Sequence, residues 1–191
     1  MKLLSPRLYI DAKALPDLVQ WYHSRLSMEK VREYKTATEY IVWLGFPNQP
    51  QSSILEFRCI HPEVSSGCDR NAGYCSRPSV DTYWKIGLAL ADVDTARNQL
   101  IQNGVEVSQP MQFRDIGYLC HLQDPFGYGI ELLQHTFKAN FSRELISSQL
   151  DTDLQLGQES LIGQITLRVS DIKKSLTFYG DTLGMKLLSR Q

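Results

Sequence analysis

Two side chains with acid–base or metal-binding chemistry sit inside apolar runs of this chain. Glu131 lies between Ile130 and Leu132, and His121 lies within Gly117-Tyr118-Leu119-Cys120-His121-Leu122-Gln123. A strand alternates its side chains, so Leu119 and His121 share one face while Tyr118, Cys120 and Leu122 share the other. An imidazole titrates at about pH 6.5 when unperturbed, which makes His121 a candidate ligand or general base. The plainer reading is a histidine hydrogen-bonded to a backbone carbonyl, to Tyr118 or to Gln112. A carboxylate flanked by Ile130 and Leu132 is not an ordinary surface charge, and it calls for a partner. The cysteines add little. Cys59 and Cys120 stand in apolar runs, where a free thiol behaves as a small buried hydrophobe. Cys68 and Cys75 share a Gly/Ser/Asn-rich stretch without a zinc-site pairing, and His61 alone does not supply one.

The elements that must position these residues repeat along the chain. Gly163 to Asp171 reads as a strand, Ile172 to Tyr179 as a helix capped by Asp171, Gly184 as a turn, and Met185 to Leu188 as the start of another strand. The same unit occurs twice earlier. Leu18, Trp21, Tyr22, Leu26 and Met28 fall where Ser175, Phe178, Tyr179, Leu183 and Met185 fall later, and Ile86 to Val93 matches Ile165 to Ile172 position for position. Such repeats mark a supersecondary unit that buries its apolar face only by stacking on a copy of itself. The pattern predicts two complete units and the beginning of a third.

Within the first unit, the pattern predicts strands at Leu8–Ile10, Met28–Thr36, Glu39–Phe46 and Ser53–Ile60, with a helix over Leu15–Leu26. In the second it predicts strands at Trp84–Leu90, at Glu106–Val107 or beyond, at Gly117–Gln123 and at Tyr128–Gln134, with a helix over Asp94–Asn103. A polar connector over 136–162 holds a helix near Phe141–Gln149. The division is therefore a two-unit domain over 1–135 (units 7–60 and 83–135), the connector, and a truncated βαβ piece over 163–191.

Composition restricts the function without naming it. At 191 residues and 42% hydrophobic, the chain suits one packed domain with an appendage. A net charge of -1 gives no field for nucleic acid or anionic lipid. No stretch suggests a signal peptide or a membrane span, so the expectation is a cytoplasmic protein.

Paired βαβββ units, with the second closing on Asp124-Pro125-Phe126-Gly127 and Ile130-Glu131-Leu132, resemble the vicinal oxygen chelate superfamily of glyoxalase, extradiol dioxygenase and bleomycin-resistance proteins. The terminal unit is most similar to glyoxalase I at Gln164, Arg168 and Lys173 to Leu176. The resemblance implies an α+β fold in which paired units form a cupped mixed sheet around a small-molecule cavity, with an incomplete third unit at the C-terminus. It also implies four metal ligands, one from the first and one from the last strand of each unit. Zn, Ni, Fe or Mn would suit such donors.

Residue by residue, Glu56 and Glu131 match the last-strand positions, while Arg7 and Lys85 stand at the first-strand ones. Neither cation can donate a lone pair at neutral pH. The resemblance therefore implies ion pairs of Glu56 and Glu131 with Arg7 and Lys85, and a cavity lined by Arg7, Lys85, Leu119 and His121. It places His121 beside Glu131 as a catalytic pair, and Gln164 at a family metal position along with Glu56 and Glu131. Two functions remain open. One is a binding protein for an apolar or aromatic ligand, walled by Trp43, Phe46, Trp84, Phe113 and Tyr118, with no assured metal. The other is a metal-dependent lyase or dioxygenase acting on vicinal oxygens. A homodimer is expected, and exchange of the terminal strand between copies is one way to form it.

Overall fold

Alternating apolar residues build two mixed sheets, and each carries one helix on its buried face. The computed structural model describes residues 6–37, 39–47, 54–60, 83–113, 117–134 and 160–187. In the first unit β1 (Arg7–Tyr9), α1 (Leu15–Leu26), β2 (Glu29–Lys35), β3 (Glu39–Gly45) and β4 (Leu55–Ile60) make a sheet ordered β1-β4-β3-β2. In the second, β5 (Tyr83–Ala89), α2 (Val93–Gln102), β6 (Met111–Phe113), β7 (Gly117–Gln123) and β8 (Gly129–Gln134) follow the same plan. That sheet gains a fifth strand, β9 (Leu161–Leu167), beside β5. In each unit the first strand runs parallel to the last and the other pairs are antiparallel, as is β9 on β5. The fold is the α+β pairing of βαβββ units expected from the repeats.

Helical spacing explains α1. Leu15, Leu18, Tyr22 and Leu26 fall on one face and are buried, while Pro16 sits in the first turn, where no backbone donor is lost. Asp92 caps α2 by accepting from the backbone N–H groups of Asp94 and Thr95. Asp171 caps α3 (Ile172–Leu176) in the same way through Lys173 and Lys174. The helical side chains and the inner faces of both sheets share one core, in which Leu18, Tyr22, Leu26 and Phe57 join Ile86, Leu100, Ile130 and Leu132. Two polar latches fasten the units together. Tyr22 donates from its hydroxyl to Asp124 Oδ2 at 3.0 Å, and Tyr128 donates to the Tyr9 carbonyl at 2.5 Å while accepting from the Tyr9 N–H at 3.1 Å.

Several details differ from the sequence reading. Glu106–Val107 is not a strand; Val107 makes one isolated bridge with Leu122, and the edge strand is Met111–Phe113. The terminal strand starts at Leu161, and Ser160 before it is already buried. It is an integral strand of the second sheet, paired with β5 of its own chain. After α3 the chain continues through a π-helical stretch, Thr177–Thr182, and residues 185–187 form no strand. The predicted helix at 141–149, together with His61, Cys68 and Cys75, lies outside the described residues. No helix among the described residues is long and apolar enough to cross a membrane.

Candidate functional site

Register alone brings four polar side chains to one point on the open face of the second sheet. His121 and Gly87 both lie directly across from Glu131, and Gly87 lies across from Gln164. Lys85, two residues before Gly87, points to the same face. Gly87 leaves the necessary room, since a Cβ there would lie 2.3 Å from Gln164 Cγ. Across that gap Gln164 donates from its amide to Glu131 Oε1, and Lys85 donates to Glu131 Oε2. His121 Nε2 lies 2.8 Å from Glu131 Oε2 and 2.8 Å from Lys85 Nζ.

A neutral His121 can serve only one of these neighbours at a time. With its proton on Nδ1 it accepts from Lys85, and with the proton on Nε2 it donates to Glu131. Exposure separates the roles further. The Glu131 side chain is 4% exposed and Lys85 14%, whereas His121 is 42% exposed. Glu131 has both oxygens committed inside the protein, and His121 is the member of the set that solvent or a ligand can reach.

The first sheet carries a counterpart without the same chemistry. Glu56 accepts from Arg7 Nε at 2.5 Å and from the Trp43 indole at 3.0 Å, and Arg58 Nε lies 3.3 Å from it. Trp43 faces Glu56 across the ladder as His121 faces Glu131. Burial works against the Arg7 charge, but hydrogen bonding and the charge of Glu56 outweigh it and raise its pKa.

The register also corrects the placing of Arg7. Arg7 lies across from Glu56 as Gly87 lies across from Glu131, so Arg7 corresponds to Gly87 and not to Lys85. The cause is a loop. Ile10 and Leu90 make equivalent backbone bonds, to Arg58 and Leu133, and Leu15 and Val93 are equivalent buried starts of α1 and α2. The connection between these anchors is two residues longer in the first unit. Aligning the helices therefore slides the strand by two. The counterpart of Lys85 is Ser5, outside the described residues.

A groove of about 800 Å³ opens beside the four-residue cluster, with Trp84, Lys85, His121, Asp124, Tyr128 and Arg168 in its wall. The aromatic lining differs from expectation. Of the five aromatics named above, Trp84 lines this groove. Phe46 is in the core, Tyr118 reaches across to Asp94 on α2, Trp43 serves Glu56 on the other sheet, and Phe113 lies exposed on the edge strand β6. Lys85 and Leu119 lie on the His121 face, but Leu119 is buried and is not part of the groove wall. Trp84 is 49% exposed, with Lys85 Nζ 5.0 Å and the Arg168 guanidinium 5.7 Å from its ring centre. Nothing in the sequence pattern marked Trp84 and Arg168 as neighbours. Their proximity follows from the β5–β9 pairing of Tyr83 with Leu167.

A divalent metal does not fit this set as it stands. The Lys85 ammonium contacts both Glu131 Oε2 and His121 Nε2, the two atoms that would ligate an ion there, and Gln164 presents its amide nitrogen to the carboxylate.

Two βαβββ sheets sharing a helical core define the fold of the vicinal oxygen chelate proteins. Residues 161–191 match the family model described as the Glyoxalase/Bleomycin resistance protein/Dioxygenase superfamily. Among solved structures, glyoxalase I from Zea mays superposes with a TM-score of 0.68 at 19% identity, covering 98% of this chain and 57% of that one. A putative dioxygenase from Bacillus subtilis gives 0.67 at 12% identity, over 100% and 57%. TnmS3, an antibiotic binding protein from Streptomyces sp. CB03234, gives 0.53 at 15% identity, over 71% and 97%. The chain thus spans less than two thirds of the maize enzyme. A search of curated protein sequences finds no match.

Proposed function

We propose that this protein binds a small amphipathic molecule, one with a flat apolar part and an anionic or carbonyl oxygen, in the groove beside the second sheet. One observation carries the reading: Trp84, half-exposed, stands in the groove wall with Lys85 and Arg168 against its ring. An exposed indole is a stacking platform, and the Arg168 guanidinium beside it suits an oxygen anion attached to the stacked group. The groove wall is mixed in character, which moves the ligand from purely apolar toward amphipathic. A binding role also fits the antibiotic-binding protein of the same fold, most of whose length this chain matches.

The test is a fluorescence titration of the full chain with aromatic carboxylates and their neutral amides. Acids should quench tryptophan emission more strongly than amides, and added salt should weaken them. Trp84→Phe should remove most of the response and Arg168→Gln the preference for acids. A response that survives in Trp84→Ala would place binding elsewhere, and no response across the panel would end the proposal.

A further inference from the structure

We propose that Glu106 is a cation-recognising residue at the far wall of the groove, so that the ligand carries a protonated amine as well as its anionic or carbonyl oxygen. This rests on the binding reading above and names the second end of the same molecule. Register places the residue. Val107 bridges Leu122, and the Ser108 N–H donates to the His121 carbonyl, so the segment before β6 runs antiparallel beside β7. Continuing that pairing by one residue sets Glu106 opposite Gln123. Gln123 lies across from Gly129, and Gly129 across from Lys85. Val107 packs against the core, so Glu106 next to it points to the opposite face, the one that carries His121. One cross-strand row therefore reads Glu106, Gln123, Gly129, Lys85, and every member of it lines the groove. Gly129 puts no side chain between the two ends. Three strand steps of about 4.8 Å set Glu106 and Lys85 about 14 Å apart at the backbone.

The two ends of the row differ in charge. Lys85 is matched by Glu131, and Arg168 adds a cation over the adjoining Trp84 ring. Glu106, at the other end, is exposed and makes no hydrogen bond or ion pair among the described residues. The Arg97 guanidinium, which reaches this segment from α2, donates to the Ser108 carbonyl and makes no ion pair with Glu106. A carboxylate at one wall and a guanidinium at the other suit a molecule charged oppositely at its two ends. An aromatic anion held at Trp84 and Arg168 can extend over Gly129 and bring an ammonium to Glu106. That ammonium would donate charge-assisted hydrogen bonds to the carboxylate, and the Gln123 amide oxygen offers it a further acceptor. A second acid at the same place would be repelled.

The experiment titrates the full chain, by tryptophan fluorescence, with naphthoates bearing an alkyl chain that ends in ammonium, hydroxyl or carboxylate. Chain lengths bracket the span of the row. At the best length the ammonium form should bind about three- to fivefold more tightly than the hydroxyl form. The carboxylate form should bind more weakly than both, and added salt should narrow these differences. Glu106→Gln should level the ammonium and hydroxyl forms while keeping the preference for acids over amides that Arg168 supplies. Glu106→Lys should reverse the order. Glu106 is exposed, so both variants should melt with wild type. The proposal is overturned if wild type binds the ammonium and hydroxyl forms equally, or if the ammonium preference survives Glu106→Gln. Acids that bind without regard to the distal group leave the groove reading standing and remove only the role of Glu106. Naphthoates that fail to bind at all remove both.

Discussion

Glu131 illustrates how far single residues were legible. Apolar neighbours on both sides announced a carboxylate that needed a partner, and alternation along β7 put His121 on the face that meets it. What the sequence could not give was the convergence of Lys85, His121 and Gln164 on its two oxygens, because that depends on the register of three separate strand pairs. The energetic weight should follow burial. Glu131→Ala leaves the Lys85 ammonium, whose side chain is only 14% exposed, without a counter-charge, and the expected cost is about 3 kcal/mol, seen as a lowered urea midpoint. His121→Ala removes a half-exposed group and should cost under about 1 kcal/mol. A similar loss from both would mean that Lys85 is rescued by solvent. The thiols follow the same logic. Burial pushes Cys59 and Cys120 up to about 12, so alkylation at pH 8 followed by peptide mapping should leave both unlabelled until the protein unfolds.

At the scale of elements, the repeat was read correctly from the helices and incorrectly from one strand. Helix anchors such as Leu18, Tyr22 and Leu26 align without gaps, whereas the longer loop before α1 shifts β1 by two residues and is invisible where only the helices are compared. The turns after the helices keep the repeat faithfully. Gly104 and Gly184 adopt φ of 78° and 68°, and Ser27, at the matching point after α1, adopts 54°. Left-handed backbone costs a residue with a Cβ about 1 kcal/mol. Ser27→Gly should therefore stabilise the protein by several tenths of a kcal/mol, and Gly104→Ala should destabilise it by about 1 kcal/mol, both readable from thermal melts. Gly87 has a different reason to be glycine: the gap it leaves is filled by Gln164. Gly87→Ala should cost about 2 kcal/mol. Combining it with Gln164→Ala should recover much of that, a coupling that independent sites would not show.

At the scale of the molecule, the two units are held as one body by a shared apolar core and by Asp124. The Asp-Pro-Phe-Gly segment was readable as a turn, but its second role was not, because the partner, Tyr22, is on a helix of the other unit. Asp124 Oδ1 accepts from the backbone N–H groups of Phe126 and Tyr128, and Oδ2 accepts from the Tyr22 hydroxyl. These three hydrogen bonds tie the turn, the helix and the groove wall together. Desolvation is the largest influence on this carboxyl and raises its pKa above the usual 3.8, with the hydrogen bonds from Tyr128, Phe126, Tyr22 and Gly127 opposing it only in part. The folded state then binds the Asp124 proton more tightly than the unfolded state. Its contribution to stability is greatest below pH 3.8, declines as pH rises through the folded pKa, and is constant above it. Asp124→Asn keeps an oxygen for the two backbone donors and has nothing to titrate, while Tyr22 can turn to accept from the new amide. The stability of wild type minus that of Asp124→Asn, measured by urea unfolding at a series of pH values, should therefore fall as pH rises from 3.8 and then level off. A difference that is flat above pH 3.8 and shrinks as pH is lowered below it would mean that the hydrogen bonds outweigh burial, and that Asp124 joins the units as a stabilised anion.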